Sequence, residues 1–215
     1  RQDCARQGVI SNVEGVVGMA DKYPEQFSYL QKPDESEVPA ELQDLFDRTT
    51  DAMMTKWGFI NNLFRVLPLN ARQYKGFLDF KDSLFNQEFC YLSNVDKEMI
   101  GLVVSSTNGC TYCLTTHGDA LRGLTGDPVW VDKLCYNYRS AELTPRQRAL
   151  CDFAYFLTVN PREITTSQAE RLREAGFNDH EILEASYVVG FFNYTNRWVA
   201  VIDPKPNDGH YSHNR

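Results

Sequence analysis

From residue 38 onward, almost every segment of this 215-residue chain places its apolar residues at helical spacing. In the stripe from Leu42 to Met53, for example, an apolar side chain returns every three or four residues, the period of one helix face. No segment alternates apolar and polar residues as a half-buried strand does. Residues of the types that favour N-caps precede the stripes: Asn70, Ser93, Thr144, Thr165 or Thr166, and Asn178 or Asp179. The pattern predicts an all-α fold.

The helical pattern covers only part of the chain. Residues 38–203 are expected to form one helical domain, since a single core can still grow at this length. Residues 1–37 show no clear apolar face and form an extension of unknown role, which could pack on a neighbouring subunit. Residues 204–215 are polar, and we expect a loose tail.

Composition excludes several classes of function. The formal net charge is −7, and no cluster of Lys or Arg is present, so a nucleic-acid partner is not expected. No apolar run approaches the roughly 20 residues that span a bilayer, so no membrane partner is expected. No signal peptide is visible, and we predict a cytoplasmic protein, although the chain begins with Arg1 rather than Met.

The six cysteines do not resemble a disulfide scaffold in a chain of this length and core composition. Cys90, Cys135 and Cys151 lie among aromatic and aliphatic neighbours and are expected to be small buried apolar residues. Cys4 lies in a terminal segment and receives no assignment.

The remaining two cysteines belong to a reactive pattern, Cys110-x-x-Cys113-x-x-x-His117. On a helix, Cys113 lies about 60° and His117 about 20° from Cys110 around the axis, so all three share one face. The helix N-terminus favours thiolates, and a histidine four residues after Cys113 can take its proton. One sulfur could become a sulfenic acid and the other could condense with it. The pattern predicts thiol redox chemistry.

Two other interpretations of this pattern stay open. The cysteines could be ordinary core residues. Alternatively, Cys110, Cys113, His117 and Glu98 could supply the four ligands of a zinc site. Structural zinc sites usually draw on a second, distant Cys/His pair, which this chain lacks. We therefore predict no metal and no organic cofactor.

Glu98 can join the site only if the chain reverses direction. Along a straight helix it would lie about 18 Å from Cys110. Thr107-Asn108-Gly109 offers a turn, since Gly accepts left-handed backbone geometry and Asn or Thr can cap the next helix. Glu98 could then relay a proton to His117. The alternative is a first-turn acid that only complements the helix dipole.

Glu98 together with Asn108-Gly109-Cys110-x-x-Cys113-x-x-x-His117 resembles the signature of the AhpD-like alkylhydroperoxidases, within the carboxymuconolactone decarboxylase superfamily. The likeness covers residues 38–203 and is nearest to the branch of uncharacterised peroxidase-related proteins. Weaker matches complete it: Gly58 to Phe64, Leu143-Thr144-Pro145, Phe192-Asn193 and Asn196-Arg197.

The resemblance implies a helical bundle with the Cys-x-x-Cys at the N-terminus of a central helix, assembled as a homo-oligomer (dimer, trimer or hexamer). It implies reduction of hydroperoxides, with a separate dithiol as reductant. Cys113 would attack the peroxide, Cys110 would resolve it, and Glu98 and His117 would relay protons. The helix dipole alone would favour Cys110 as the nucleophile, so the two arguments disagree.

Tyr112 departs from the family pattern, because the founding type has a histidine immediately before the second cysteine. Tyr112 is expected off the reactive face, so the change should affect the proton relay and the rate rather than abolish thiol chemistry. His180, His210 and His213 are predicted to be solvated.

Two other functions remain alternatives to the peroxidase. One is a non-redox decarboxylase or isomerase of the same superfamily, with His117 as acid and base. The other is a redox-sensing or metal-holding oligomer.

Overall fold

The structure is a computed structural model that describes residues 26–34 and 38–215. The described residues form helices and turns, without a strand, which confirms the all-α prediction. The α-helices are α1 (Ala40–Trp57), α2 (Asn62–Val66), α3 (Ala71–Phe85), α4 (Asn94–Asn108), α5 (Thr111–Thr125), α6 (Pro128–Asn137), α7 (Pro145–Val159), α8 (Thr166–Glu174), α9 (Asp179–Ile202) and α10 (Gly209–Ser212).

The helix starts follow local capping chemistry. The side chain of Asn70 accepts a hydrogen bond from the backbone of Gln73, and Ser93 does the same for Asp96. Full capping boxes precede α7, α8 and α9. These bonds satisfy N–H groups that a helix leaves unpaired in its first turn.

Prolines lie at several of the helix boundaries. Pro39 is the N-cap of α1. Helix α2 ends at Val66, and Leu67–Asn70, with Pro68, continue as a 3-10 turn. Among the described residues, no helix is long and apolar enough to cross a membrane.

Helix α4 is the centre of the domain. Its residues from Lys97 to Ser105 are all buried, and α5, α7 and α9 pack against it. A helix enclosed in this way needs apolar side chains on all its faces. Lys97 is an exception, and its buried ammonium group forms an ion pair of 2.9 Å with Glu184. The side chains of α4 are therefore held on every side.

A sharp reversal joins α4 to α5. Gly109 has φ 69°, a left-handed conformation that glycine adopts without steric cost. The Cys110 N–H then donates to the Ser105 carbonyl at 2.9 Å, which closes the end of α4. The predicted reversal at Asn108-Gly109 is confirmed.

Both ends of the described chain dock on the domain. The prediction of a loose tail is wrong: residues 209–212 form α10, which packs against α5. In the N-terminal extension, the Ser28 hydroxyl and the Tyr29 backbone N–H donate hydrogen bonds to the Ile202 carbonyl. This part therefore packs on its own chain. Residues 1–25, with Cys4, and 35–37 lie outside the described residues.

Candidate active site

The reversal at Gly109 brings Glu98 to His117. The Oε2 atom of Glu98 lies 2.7 Å from Nδ1 of His117. Glu98 is 10% exposed and His117 27% exposed at the side chain. A carboxylate on Nδ1 holds the tautomer in which Nε2 is the basic nitrogen. No described residue hydrogen-bonds to Nε2, so that atom remains available for proton transfer.

A small glycine positions the His117 ring. The edge of His117 meets the ring of Phe192, with centroids 4.7 Å apart. Phe192 in turn lies against Gly101 of α4, where any Cβ atom would overlap the phenyl ring. Gly101 therefore gives Phe192 the room to lie beneath the imidazole.

The two cysteines lie at the start of α5, as predicted. Cys110 is the N-cap, and Cys113 lies in the first turn. Both are buried free thiols, and they share a hydrogen bond between their side chains. The pair therefore lies within reach for exchanging one proton.

The hydrogen bond between the two thiols shifts their pKa values in opposite directions. Donation from the Cys113 thiol lowers the pKa of Cys110 to about 7, against the effect of burial, and His117 contributes to the lowering. The same bond and burial raise the pKa of Cys113. In such a pair, the first proton lost belongs to both sulfurs, and the resulting anion rests on Cys110.

An amide network supports the pair from behind. The Asn108 side chain donates to Oδ1 of Asn196 at 3.0 Å, and the Asn196 amide donates to the Ser105 hydroxyl at 3.1 Å. Asn196 also acts on Cys113, whose pKa it lowers against the larger effects that raise it. The network ties α9 to the end of α4 beside the reactive turn.

The prediction that Tyr112 lies off the reactive face is wrong. Tyr112 belongs to the same apolar cluster as Cys110 and Cys113, and its hydroxyl accepts a hydrogen bond from the Leu63 backbone at 3.3 Å. Burial raises the pKa of Tyr112, so the phenol stays protonated. Tyr112 anchors α2 to the cysteine helix.

A cleft of about 1460 Å³ opens in front of these residues. Glu98, Cys113 and His117 line it, whereas Cys110 does not. Aromatic rings form much of the remaining wall: Trp57, Phe64, Phe77, Tyr112, Phe191 and Trp198. A ligand in the cleft therefore lies against Cys113 rather than Cys110, although both thiols are buried.

A second histidine–carboxylate pair lies further along α5, and the sequence did not predict it. His210 is fully buried, so the prediction that it is solvated is wrong. Its Nδ1 lies 2.7 Å from Asp119 and its Nε2 2.7 Å from the side-chain amide oxygen Oδ1 of Asn61. His213, the C-cap of α10, also approaches Asp119, at 3.7 Å, and is only partly exposed. Helix α10 turns the His210 ring inward.

The other predicted residues lie outside this site. His180 is exposed, as expected, and stacks on Tyr91. Cys151 is fully buried, as expected, while Cys90 and Cys135 are only partly buried. Within the described ranges, no group of three or more His, Cys, Asp or Glu side chains could hold a metal ion.

Comparison with known proteins places this arrangement in a family. The carboxymuconolactone decarboxylase family model matches residues 74–155. The crystal structure of an uncharacterised peroxidase-related protein from Silicibacter sp. TM1040 is 34% identical, with a TM-score of 0.80, over 89% of this chain and 97% of that one. The chain is an AhpD-like member of the carboxymuconolactone decarboxylase superfamily.

Other AhpD-like structures agree with this assignment. An alkylhydroperoxidase AhpD core protein from Ralstonia eutropha JMP134, also peroxidase-related and uncharacterised, is 29% identical with a TM-score of 0.82, over 89% of this chain and 98% of that one. The debrominase Bmp8 shares the fold at 17% identity, with a TM-score of 0.68, over 87% of this chain and 95% of that one. No curated protein matches the chain.

Sequence reasoning missed several parts of this AhpD-like site. It did not find the Asn61–His210–Asp119 cluster, because α10 was expected to be loose. Nor did it pair Tyr112 with Leu63. The only available signal was the run from Gly58 to Phe64, which holds both Asn61 and Leu63.

Proposed function

We propose that this protein is a thiol-dependent peroxidase that reduces hydroperoxides through a Cys110–Cys113 dithiol and disulfide cycle. The observation that carries the proposal is a hydrogen-bonded thiol pair beside a histidine whose free nitrogen lies on a cleft. The membership of the AhpD-like group supports an enzyme related to peroxidases. The reaction itself is our inference.

The proposed reaction needs two electrons and no cofactor. Nε2 of His117 first takes a proton from the thiol pair. Cys113, as thiolate, attacks the terminal oxygen of the hydroperoxide; the O–O bond breaks, and the alkoxide takes that proton and leaves as the alcohol. Cys113 is then a sulfenic acid. Cys110 gives the shared proton to Nε2 of His117 and, as thiolate, attacks the Cys113 sulfur; the S–S bond forms, and hydroxide takes the proton from His117 and leaves as water. An external dithiol reduces the disulfide by exchange.

Access selects the nucleophile in this scheme. Cys113 lines the cleft and Cys110 does not, although the anion of the reduced pair rests on Cys110. Transfer of the shared proton from Cys113 to Cys110 moves the negative charge to Cys113. The thiolate then lies on the sulfur whose residue lines the cleft. His117, held by Glu98, then carries the proton that the leaving oxygen needs.

Intact-mass measurement during titration with cumene hydroperoxide tests the proposal. The reduced protein should lose two hydrogen atoms for each peroxide consumed. Cys110→Ser should stop at a sulfenic acid that dimedone traps on Cys113, and Cys113→Ser should not react. No change in mass, or an unchanged response in Cys113→Ser, would overturn the proposal.

Non-redox catalysis is the second candidate, favoured by the family match and by the free Nε2 of His117 on the cleft. In this case His117 would act as acid and base on a small carboxylate or lactone. Turnover of such a substrate by the Cys110→Ser/Cys113→Ser double variant would establish it. A redox sensor without turnover would instead form the disulfide only once, even with excess dithiol.

We also propose a homo-oligomer, on the evidence of one face of α9. Leu183, Tyr187, Tyr194 and Val201 are each more than half exposed, and their spacing puts them on one stripe. Exposed Gly190 lies at its middle, where two copies of α9 could cross closely. Light scattering should give at least a dimer, and Tyr187→Glu/Tyr194→Glu should give a monomer; a monomeric wild type would exclude this.

A further inference from the structure

Two lysines without an ion pair face the reactive cleft. Lys56, in the last turn of α1, and Lys81, on α3, line it together with Cys113. No described carboxylate lies within ion-pair distance of either ammonium group, whereas Arg48, also on the cleft, is paired with Asp44. Lys56 rests over the Trp57 ring at 4.5 Å. The cleft therefore has positive charge available for a ligand.

The charges around Lys81 are only partly balanced. Lys81 is an exposed residue. Nearby protein atoms and the charge of Lys56 lower its pKa, while Glu98 and Asp82 act in the opposite direction. Glu98 is committed to His117. A bound anion would offset the repulsion between the lysines.

The ring of Trp198 forms part of the apolar wall of the same cleft. It also packs on the cluster that holds both cysteines. The wall therefore offers apolar surface close to the reactive residues.

We propose that the cleft binds an aromatic or similarly apolar molecule that carries a carboxylate, with Lys56 and Lys81 as the groups that recognise the carboxylate. The aromatic wall binds the apolar body. That the natural ligand is a hydroperoxide rests on the proposed function; the recognition of the carboxylate does not.

Binding of an unreactive probe tests the site directly. By titration calorimetry, 4-isopropylbenzoate should bind the wild type about fivefold to tenfold more tightly than its methyl ester, as expected for two partly screened ion pairs. Lys56→Met/Lys81→Met should reduce this ratio to about 1. Arg72→Met is the matched control, because Arg72 is an exposed cation on the same helix as Lys81 but outside the cleft, and it should keep the ratio.

Circular dichroism and thermal melting of each variant identify any loss of fold. If the double variant melts early, Lys81→Gln alone should still lower the ratio. Equal affinity of the wild type for acid and ester, or a ratio unchanged in the double variant, would overturn the proposal.

Kinetics separate this inference from the proposed function. The substrates are cumene hydroperoxide with a para carboxylate and the methyl ester of the same compound. The acid-to-ester ratio of kcat/KM should fall in Lys56→Met/Lys81→Met and persist in Arg72→Met. If neither hydroperoxide is reduced but the probe binds through the lysines, the peroxidase proposal fails alone. If both are reduced equally and the probe does not bind, only the carboxylate inference fails.

Discussion

The two histidine–carboxylate pairs of this protein have the same geometry and different surroundings. Each joins Nδ1 to a carboxylate oxygen at 2.7 Å, and His117 and Asp119 are only two residues apart on α5. His117 keeps one nitrogen free on the cleft, whereas His210 uses both and is fully buried. The pair alone therefore does not define a catalytic group. What distinguishes His117 is its free ring nitrogen and the access of that nitrogen to a ligand in the cleft.

The largest effect is expected from a substitution that breaks the first pair, between His117 and Glu98. His117→Gln removes the group that transfers the proton, so the rate of disulfide formation with cumene hydroperoxide should fall about 10²- to 10³-fold. Stopped-flow tryptophan fluorescence or mass sampling measures this rate. The unfolding midpoint should change little, because His117 is partly exposed. A rate within threefold of wild type would remove His117 from the mechanism.

Breaking the second pair should affect stability instead. His210→Ala leaves the buried carboxylate of Asp119 without its main partner, and the free energy of unfolding should fall by about 3 kcal/mol. Asn214 still donates to Asp119 at 2.8 Å, which limits the loss. Urea denaturation measures it, with the exposed His180→Ala as control at under ~0.5 kcal/mol. Equal stability of both variants would mean that α10 does not hold the domain.

A change in the contact between Gly101 and Phe192, which lies against His117, should have a smaller effect. Gly101→Ala forces Phe192 away from α4 and tilts the imidazole, so we expect a loss of about 1–3 kcal/mol in stability together with a slower reaction. Gly76→Ala is the matched control, since Gly76 also lies inside a helix, α3, but meets open space. It should stabilise by a few tenths to ~1 kcal/mol. A harmless Gly101→Ala would contradict the close approach of Phe192.

The smallest effect concerns the cysteines beside the two pairs. Cys110 has a pKa of about 7, while burial raises the pKa of Cys135, near the second pair, to about 11. Thiolate increases as pH rises through the pKa, so iodoacetamide labelling of the Cys110–Cys113 pair should rise about tenfold from pH 6 to pH 8 before it levels off. Cys135 labelling should still be rising at pH 9. Peptide mass spectrometry reads both sites.

Local signals in the sequence were sufficient for the helices and for the first pair. Helical spacing, caps and Gly109 identify α4, the reversal and α5, and these elements bring Glu98 to His117. The second pair depends on contacts between residues about 90 and 150 positions apart: His210 with Asp119, and His210 with Asn61. A polar segment such as 204–215 carries no periodicity, so only tertiary packing determines its place.

The roles of the two sulfurs depend on tertiary structure in the same way. The position on the helix favours Cys110 as the thiolate, and the hydrogen bond from Cys113 agrees. Access from the cleft favours Cys113, and helix geometry alone does not reveal where a cleft opens.

The burial of α4 has a consequence for the motions of the site. One side of the cleft stands on this fully enclosed helix, while α1 on the other side buries only Phe46 and Met53. Amide hydrogen exchange should therefore be slowest around Glu98 and much faster along α1. The proton relay would stay fixed while the opposite wall opens, so ligands could enter and leave without disturbing the groups that react with them.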